Sequence, residues 1–268
     1  MRWSEDGPVR TTLELEYRCN QSTIWQKIHF YANTPRIDFE TKADWKEHQH
    51  LLKAEFPVDI HSDEATFEIQ FGNVTRKVHT NTSWDKARFE SCGQKWMDFS
   101  EGHYGVSLLN DCKYGHSVRD GVIGLTLIKC GVEPNPNADV EMHTFTYALF
   151  PHAGTWKEAG TVEESYQLNL PAYAVRGGQP GTAFSYTAVE PRNVVLETVK
   201  QAENGDGVVL RMYECENART KTVVRLPEGA QRAYLTNLLE EIQEELPIVD
   251  GKVTFMTKPF EIQTVLVK

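Results

Sequence analysis

Apolar and polar residues alternate with a period of two along most of this chain. Leu13, Leu15 and Tyr17 alternate with Thr12, Glu14 and Glu16. Ile24, Ile28 and Phe30 fall on one parity, and Trp25, His29 and Tyr31 on the other. Ile37 and Phe39 alternate with Arg36, Asp38 and Glu40, and the same pattern runs through Leu52, Ala54, Phe56 and through Phe67, Ile69, Phe71. Successive side chains of a strand point to opposite faces, so each run predicts a strand with one face on a core and one toward water. Asn33-Thr34-Pro35, Phe71-Gly72-Asn73 and Asp120-Gly121 separate the runs. Asp120-Gly121 lies between Tyr114–Val118 and Val122–Ile128 and predicts a tight hairpin, because Asp and Gly tolerate the positive φ of primed turns.

Helix signals are few. Thr155 to Leu168 is the best candidate, with Thr155 as N-cap, Glu158 three residues on to complete a capping box, and Gly160 as a weak point inside it. Val175-Arg176-Gly177-Gly178-Gln179-Pro180-Gly181 concentrates Gly and Pro and predicts a boundary. Seven short strands are expected after it: Phe184–Val189, Val194–Gln201, Val208–Glu214, Thr222–Arg225, Gln231–Leu235, Lys252–Met256 and Ile262–Val267. The reading is an all-β chain. A large antiparallel β-sandwich (residues 1–175) precedes a smaller β-sandwich (residues 182–268), with at most one short helix.

At 268 residues and 40% hydrophobic, the chain is long and apolar enough for one or two packed cores. Its net charge of -10 argues against nucleic acid as a partner, which calls for a basic footprint. No apolar run reaches the length of about 18 residues that a membrane helix needs, so no membrane partner is expected. Cys19, Cys92, Cys112, Cys130 and Cys215 are scattered, odd in number and without a CxxC pair. Buried free thiols in a cytoplasmic protein are the simplest reading.

The candidate chemistry is sparse. His48 with His50, and His61 with Asp63, share a face if they lie on strands, but no HExxH completes a zinc set. Trp45, Trp84 and Trp96 are expected in cores. Cys112 beside Lys113 hints at a lowered thiol pKa but has no histidine partner. Asn110, Asp111 and Tyr114 are the best candidates for contact with a ligand. They follow the apolar run Val106–Leu109, so they sit where a strand ends. Short polar side chains there can bond sugar hydroxyls, and Tyr114 offers an apolar face to a sugar ring. The competing reading is that Asn110 and Asp111 build an Asx turn.

Longer ordered blocks carry a family resemblance. They are Trp45-Lys46-Glu47-His48-Gln49-His50-Leu51-Leu52-Lys53, Phe56-Pro57-Val58-Asp59-Ile60-His61-Ser62-Asp63-Glu64-Ala65, Asn81-Thr82-Ser83-Trp84-Asp85-Lys86-Ala87-Arg88-Phe89-Glu90 and Tyr104-Gly105-Val106-Ser107-Leu108-Leu109-Asn110-Asp111-Cys112-Lys113-Tyr114-Gly115. The series resembles the C-terminal β-rich region of family 38 glycoside hydrolases, the α-mannosidases. It continues through Phe145-Thr146-Tyr147-Ala148-Leu149-Phe150-Pro151-His152 and ends at Pro259-Phe260-Glu261-Ile262. The resemblance implies a non-catalytic part of a retaining enzyme that acts on terminal α-mannosides. The catalytic carboxylates and the zinc ligands would belong to an N-terminal domain upstream. This chain would then hold no catalytic residue and no cofactor, and would be inactive alone. Its partners would be that catalytic domain and the mannoside, whose cleft it completes. An uncovered domain-facing surface would also favour a homo-oligomer. A stand-alone carbohydrate-binding β-sandwich is the alternative, and the presence or absence of an upstream catalytic domain separates the two.

Overall fold

A computed structural model describes residues 1–178, 181 and 183–268. Part of the expected boundary (Gln179, Pro180) and the first residue of the expected second domain (Thr182) lie outside the described residues. The chain divides into a first unit, Met1–Ile69 with Val74–Tyr173, and a second, Gln70–Asn73 with Ala174–Lys268. Only 7% of the residues are helical, against roughly a third in an average globular protein.

In the first half of the chain the strands are β1 (Arg2–Asp6), β2 (Arg10–Cys19), β3 (Ser22–Tyr31), β4 (Ile37–Asp44), β5 (Leu51–Pro57), β6 (Glu64–Ile69) and β7 (Gly72–Lys77). A single helical turn, α1 (Ser83–Ala87), leads to β8 (Ser91–Cys92), β9 (Trp96–Ser100), β10 (Tyr104–Asn110), β11 (Gly115–Arg119), β12 (Val122–Lys129) and β13 (Met142–Ala153). Nine strands form one sheet in the order β1-β2-β3-β4-β13-β10-β9-β6-β7. Four form a second, β5-β12-β11-β8. Ala43, Phe67, Met97, Leu108, Phe145 and Tyr147 from the first sheet pack with Val118, Ile123, Leu125 and Ile128 from the second. The expected hairpin is present: Arg119 pairs with Val122, and Asp120 (φ 49) and Gly121 (φ 74) take the left-handed conformation of its two-residue turn.

The other face of the nine-stranded sheet carries α2 (Trp156–Ala159) and α3 (Thr161–Asn169). The Thr155–Glu158 capping box is formed as the sequence predicts. The helix then stops at Gly160, whose left-handed φ of 76 ends α2 and starts α3 in a new direction. Beneath the helices, Asp98 accepts hydrogen bonds from Ser107 Oγ (2.8 Å), Ser100 Oγ and His152 Nε2 (2.8 Å), and Ser107 Oγ also meets Thr161 Oγ1 at 2.8 Å. The Trp96 and Trp156 rings pack against each other at a tilt of 37°, with centroids 4.9 Å apart.

The second unit is a smaller sandwich. Sheet β14-β17-β20 comprises β14 (Ala188–Glu190), β17 (Thr220–Arg225) and β20 (Lys252–Thr257). Sheet β15-β16-β21-β18-β19 comprises β15 (Val194–Gln201), β16 (Val208–Glu214), β18 (Ala233–Thr236), β19 (Ile242–Leu246) and β21 (Ile262–Val267). Val224, Val253 and Phe255 of one sheet meet Leu210, Met212 and Val265 of the other.

Three expectations change. Trp45 and Trp96 are core residues, but Trp84 is 84% exposed, because its segment forms the helical turn α1 rather than a strand. Cys130 and Cys215 are buried, whereas Cys19, Cys92 and Cys112 are exposed. His48, His50, His61 and Asp63 lie outside the strands, so a shared strand face does not bring them together.

Candidate functional site

The end of β10 places Asn110 and Asp111 in different roles. Asn110 is 1% exposed. Its Nδ2 donates to Gln94 O (2.8 Å) and lies 3.4 Å from His116 Nε2. Its Oδ1 accepts from Lys113 N at 2.6 Å, which is the Asx turn weighed from the sequence. Its backbone amide donates to Lys95 O (3.0 Å), and its carbonyl accepts from Asn169 Nδ2 of α3 (3.1 Å). These partners engage both ends of its amide, so Asn110 works as an internal pin. His116 is part of the same anchor. Its Nδ1 lies 3.2 Å from Tyr114 O, which assigns the proton to Nδ1 and leaves Nε2 to accept from Asn110. Burial pushes the His116 pKa down to about 4, so the ring is neutral at pH 7.

Asp111 is exposed. Its amide donates to Thr146 O (3.1 Å), and its Oδ2 accepts from Thr146 N at 2.8 Å, fixing it to the margin of β13. Enclosure of the sulfur, then the hydrogen bond and charge of Asp111, push the Cys112 thiol up to about 11, against the smaller pull of Lys113. The sequence hint of a lowered thiol pKa is therefore reversed, and Cys112 stays a thiol. Tyr114 is 58% exposed with its ring free to receive a ligand face.

Asp111 borders two hollows. One, of about 230 Å³, is lined by Gln94, Lys95, Asp111, Tyr114 and Asn169 among others. The other is a groove of about 520 Å³ that runs from Asp111 across the sheet to Trp25. Register builds this groove: Trp25 pairs with Lys42 and Lys42 with Thr144, while Lys27 pairs with Glu40 and Glu40 with Thr146. These six side chains share one face because paired residues do so in an antiparallel sheet. Trp25 is 39% exposed, with charged and hydroxyl groups around it. An apolar platform with a polar rim suits a polyol ring. Sequence reasoning did not single out Trp25, Lys42 or Thr144; the one signal was Trp25 on the polar parity of its strand.

A glycosidase general acid needs a carboxyl with a raised pKa. Glu14, a groove residue, is instead held below the usual range, chiefly by the hydrogen bond from Arg2. Glu5, Glu47, Asp63, Asp85, Glu240 and Glu245 are also shifted downward, mainly by hydrogen bonds from neighbouring side chains. Among the described residues no group of three His, Cys, Asp or Glu side chains converges as a metal site. Asp63 is engaged by Lys77 Nζ (2.8 Å), and His50 Nδ1 lies 2.7 Å from His48 O. The described residues therefore do not fit a zinc ion.

Residues 1–137 match the family model for the glycosyl hydrolases family 38 C-terminal domain, and residues 193–265 match that for the family 38 C-terminal β-sandwich domain. The chain is 40% identical over 252 residues to human α-mannosidase 2C1, a match covering 91% of this chain and 24% of that protein. It is 36% identical over 275 residues to α-mannosidase G of Dictyostelium discoideum, covering 97% of this chain and 25% of that protein. The chain thus spans about a quarter of the length of these relatives. An α-mannosidase from Enterococcus faecalis V583 has the same fold over 100% of this chain and 35% of its own, with a TM-score of 0.80 at 19% identity. With more than half of its residues in one family model and a second model over its smaller sandwich, the chain belongs to glycosyl hydrolase family 38 and consists of that family's C-terminal β domains.

Proposed function

We propose that the chain is the non-catalytic β region of a retaining α-mannosidase acting on terminal α-mannosides. The observation that carries this reading is the match to α-mannosidase 2C1 over 91% of the chain within only 24% of that protein. Catalytic carboxylates and zinc would then sit in an upstream domain. Residues 1–175 and 182–268 would act as two supporting domains. The larger would complete the substrate cleft with Asp111, Tyr114 and the Trp25 groove, and Asn110 would hold that margin in shape from behind.

The upstream domain would be the main partner. Trp3 pairs with Leu13 and its ring lies 6.4 Å from Phe30, and this apolar corner of β1–β3 stands outside the main core cluster. Exposed aromatic surface of that kind supports docking to another domain or, in the chain alone, to a second copy. Free cysteines throughout support a cytoplasmic setting.

The test is Asp111→Ala in the full-length enzyme. Loss of a hydrogen bond to a charged group should lower kcat/KM by about 10- to 100-fold, with the far-UV circular dichroism unchanged. Unchanged kcat/KM would remove Asp111 from the cleft. The Trp25 groove also supports the second reading, a stand-alone carbohydrate-binding module. Saturable mannoside binding by the chain, in a protein with no upstream catalytic domain, would favour it.

A further inference from the structure

A small cavity of the first unit gathers cations away from the Asp111 margin. It has a volume of about 30 Å³ and is lined by the end of β7, the segment from α1 to β8, and β11. Arg76, Arg88 and Arg119 all line it. Arg76 lies over the Phe67 ring at 4.7 Å and donates from Nη1 to Cys92 O at 2.9 Å. Arg119 lies over the Phe89 ring at 5.5 Å and donates from Nη2 to Arg88 O at 2.6 Å. Among the described residues none of the three guanidinium groups has a carboxylate partner, in a chain whose net charge is -10.

The acids that line the cavity are occupied. Glu90 pairs with Lys53 at 3.2 Å and accepts from Thr126 Oγ1. Asp85 accepts from the Thr82 amide (3.0 Å) and hydroxyl (2.7 Å). Lys77 is also satisfied, by Asp63 and Glu64 at 2.8 and 2.7 Å. His79 is not. Its Nδ1 is shut off from solvent without a hydrogen bond, 3.5 Å from Asp85 Oδ2 in a geometry too poor for one.

Like charges in a partly desolvated pocket repel more strongly than in water. Burial pushes the Arg76 pKa down; Cys92 opposes this in part, and the charge of Arg88 adds a smaller downward push, so Arg76 feels both burial and its like-charged neighbour. A bound anion would offset both and would give His79 Nδ1–H an acceptor. Guanidinium forks match the oxygens of phosphate and of carboxylate, and three of them around one cavity suit a tetrahedral oxyanion with several oxygens to share. The space suffices for roughly two water molecules, the scale of one tetrahedral oxyanion.

We propose that this cavity is a binding site for a phosphate-type oxyanion, held by Arg76, Arg88 and Arg119 with His79 as a further donor. The ligand is either free inorganic phosphate or the terminal phosphate of a sugar phosphate. The site is independent of the mannosidase reading and survives its failure.

Titration calorimetry of the chain at constant ionic strength, set with chloride, tests it using inorganic phosphate and a hexose 6-phosphate. Saturable binding of phosphate is expected, and Arg76→Gln and Arg88→Gln should each weaken it roughly tenfold or more. Arg18→Gln removes the same charge from an exposed pair with Glu16 and should leave the affinity unchanged. Tighter binding of the hexose phosphate identifies a phosphomonoester as the ligand, and equal or weaker binding identifies the free ion. If Arg76→Gln fails to fold, Arg88→Gln carries the test, because no hydrogen bond ties the Arg88 side chain to the protein among the described residues. The proposal is overturned if phosphate gives no more heat than chloride up to the millimolar range. It is equally overturned if Arg88→Gln binds like the parent, or if Arg18→Gln weakens binding as much as Arg88→Gln does.

Discussion

Asn110 and Asp111 are adjacent, yet replacing each with alanine should damage different properties. Asn110→Ala strands Lys113 N and Gln94 O, which the side chain now holds at 2.6 and 2.8 Å. Each backbone group left unpaired away from water costs about 1–3 kcal/mol, which gives about 2–6 kcal/mol for the pair. Lys113 is only half-buried and water can reach it, so the lower half of that range, about 2–4 kcal/mol, is expected. Asp111→Ala removes its bonds to Thr146 N and to the Cys112 thiol, both at exposed positions where water replaces them, worth about 1 kcal/mol together. Urea unfolding followed by tryptophan fluorescence suits the comparison. Trp3, Trp25, Trp45, Trp84, Trp96 and Trp156 all lie in the first unit, and Trp96 pairs with Leu109 beside the mutated site. With a urea m-value of about 2 kcal/mol/M, Asn110→Ala should lower the midpoint by about 1–2 M. Asp111→Ala should shift it by less than about 0.5 M. An Asn110→Ala midpoint at the parent value, or Asp111→Ala as the more destabilised variant, would refute the assignment of pin and rim.

Three further outcomes are expected. Glu214 is fully buried and accepts from Asn193 Nδ2 (2.9 Å) and from the amides of Glu216 (2.8 Å), Ala218 (3.0 Å) and Phe260 (3.1 Å). Glu214→Gln turns an NH₂ toward two of these donors and should destabilise the second unit by about 2–5 kcal/mol; unaltered hydrogen exchange at Ala218 and Phe260 would contradict this. His116 has a folded pKa lowered from 6.5 to about 4, so the unfolded chain binds its proton first as pH falls. Its contribution to stability is intact above pH 6.5 and declines from there toward pH 4, by at most about 1.4 kcal/mol per pH unit. Urea midpoints of the parent and His116→Gln across that window should diverge in slope, and identical slopes would remove His116 as a cause. Gly105→Ala would set a Cβ 2.5 Å from His152 Cε1 and closer still to Ser100 Oγ. Overpacking of that kind costs about 1–3 kcal/mol and should lower the thermal midpoint, so an unmoved midpoint would show that the Asp98 network yields easily.

Much of the β architecture was legible because one face of each strand is buried. The Asp120-Gly121 hairpin, the Thr155–Glu158 capping box and most strands of the second unit follow directly from local pattern. The misses are also physical. β1 and β19 are almost wholly exposed strands at the margins of their sheets, so they carry no alternation. Trp84 looked like core because it is a large aromatic in a strand-rich chain, whereas Thr82 and Asp85 cap a helical turn that leaves it exposed. The Asx turn at Asn110 was readable from spacing. Its burial was not, because it depends on Asn169, which approaches from 59 residues away. The Trp25 groove was out of reach for the same reason: its neighbours Lys42 and Thr144 arrive through the register of three strands.

On the proposed reading these β domains belong to a mannosidase whose chemistry lies elsewhere in the enzyme. Steady-state hydrolysis of an aryl α-mannoside in the presence of zinc, comparing the 268-residue chain with the full-length enzyme, decides this. Turnover is expected from the full-length enzyme only, with no rate above background for the chain alone. Turnover by the isolated chain that a chelator abolishes would contradict it and return both the catalytic carboxylates and the metal to this part of the molecule.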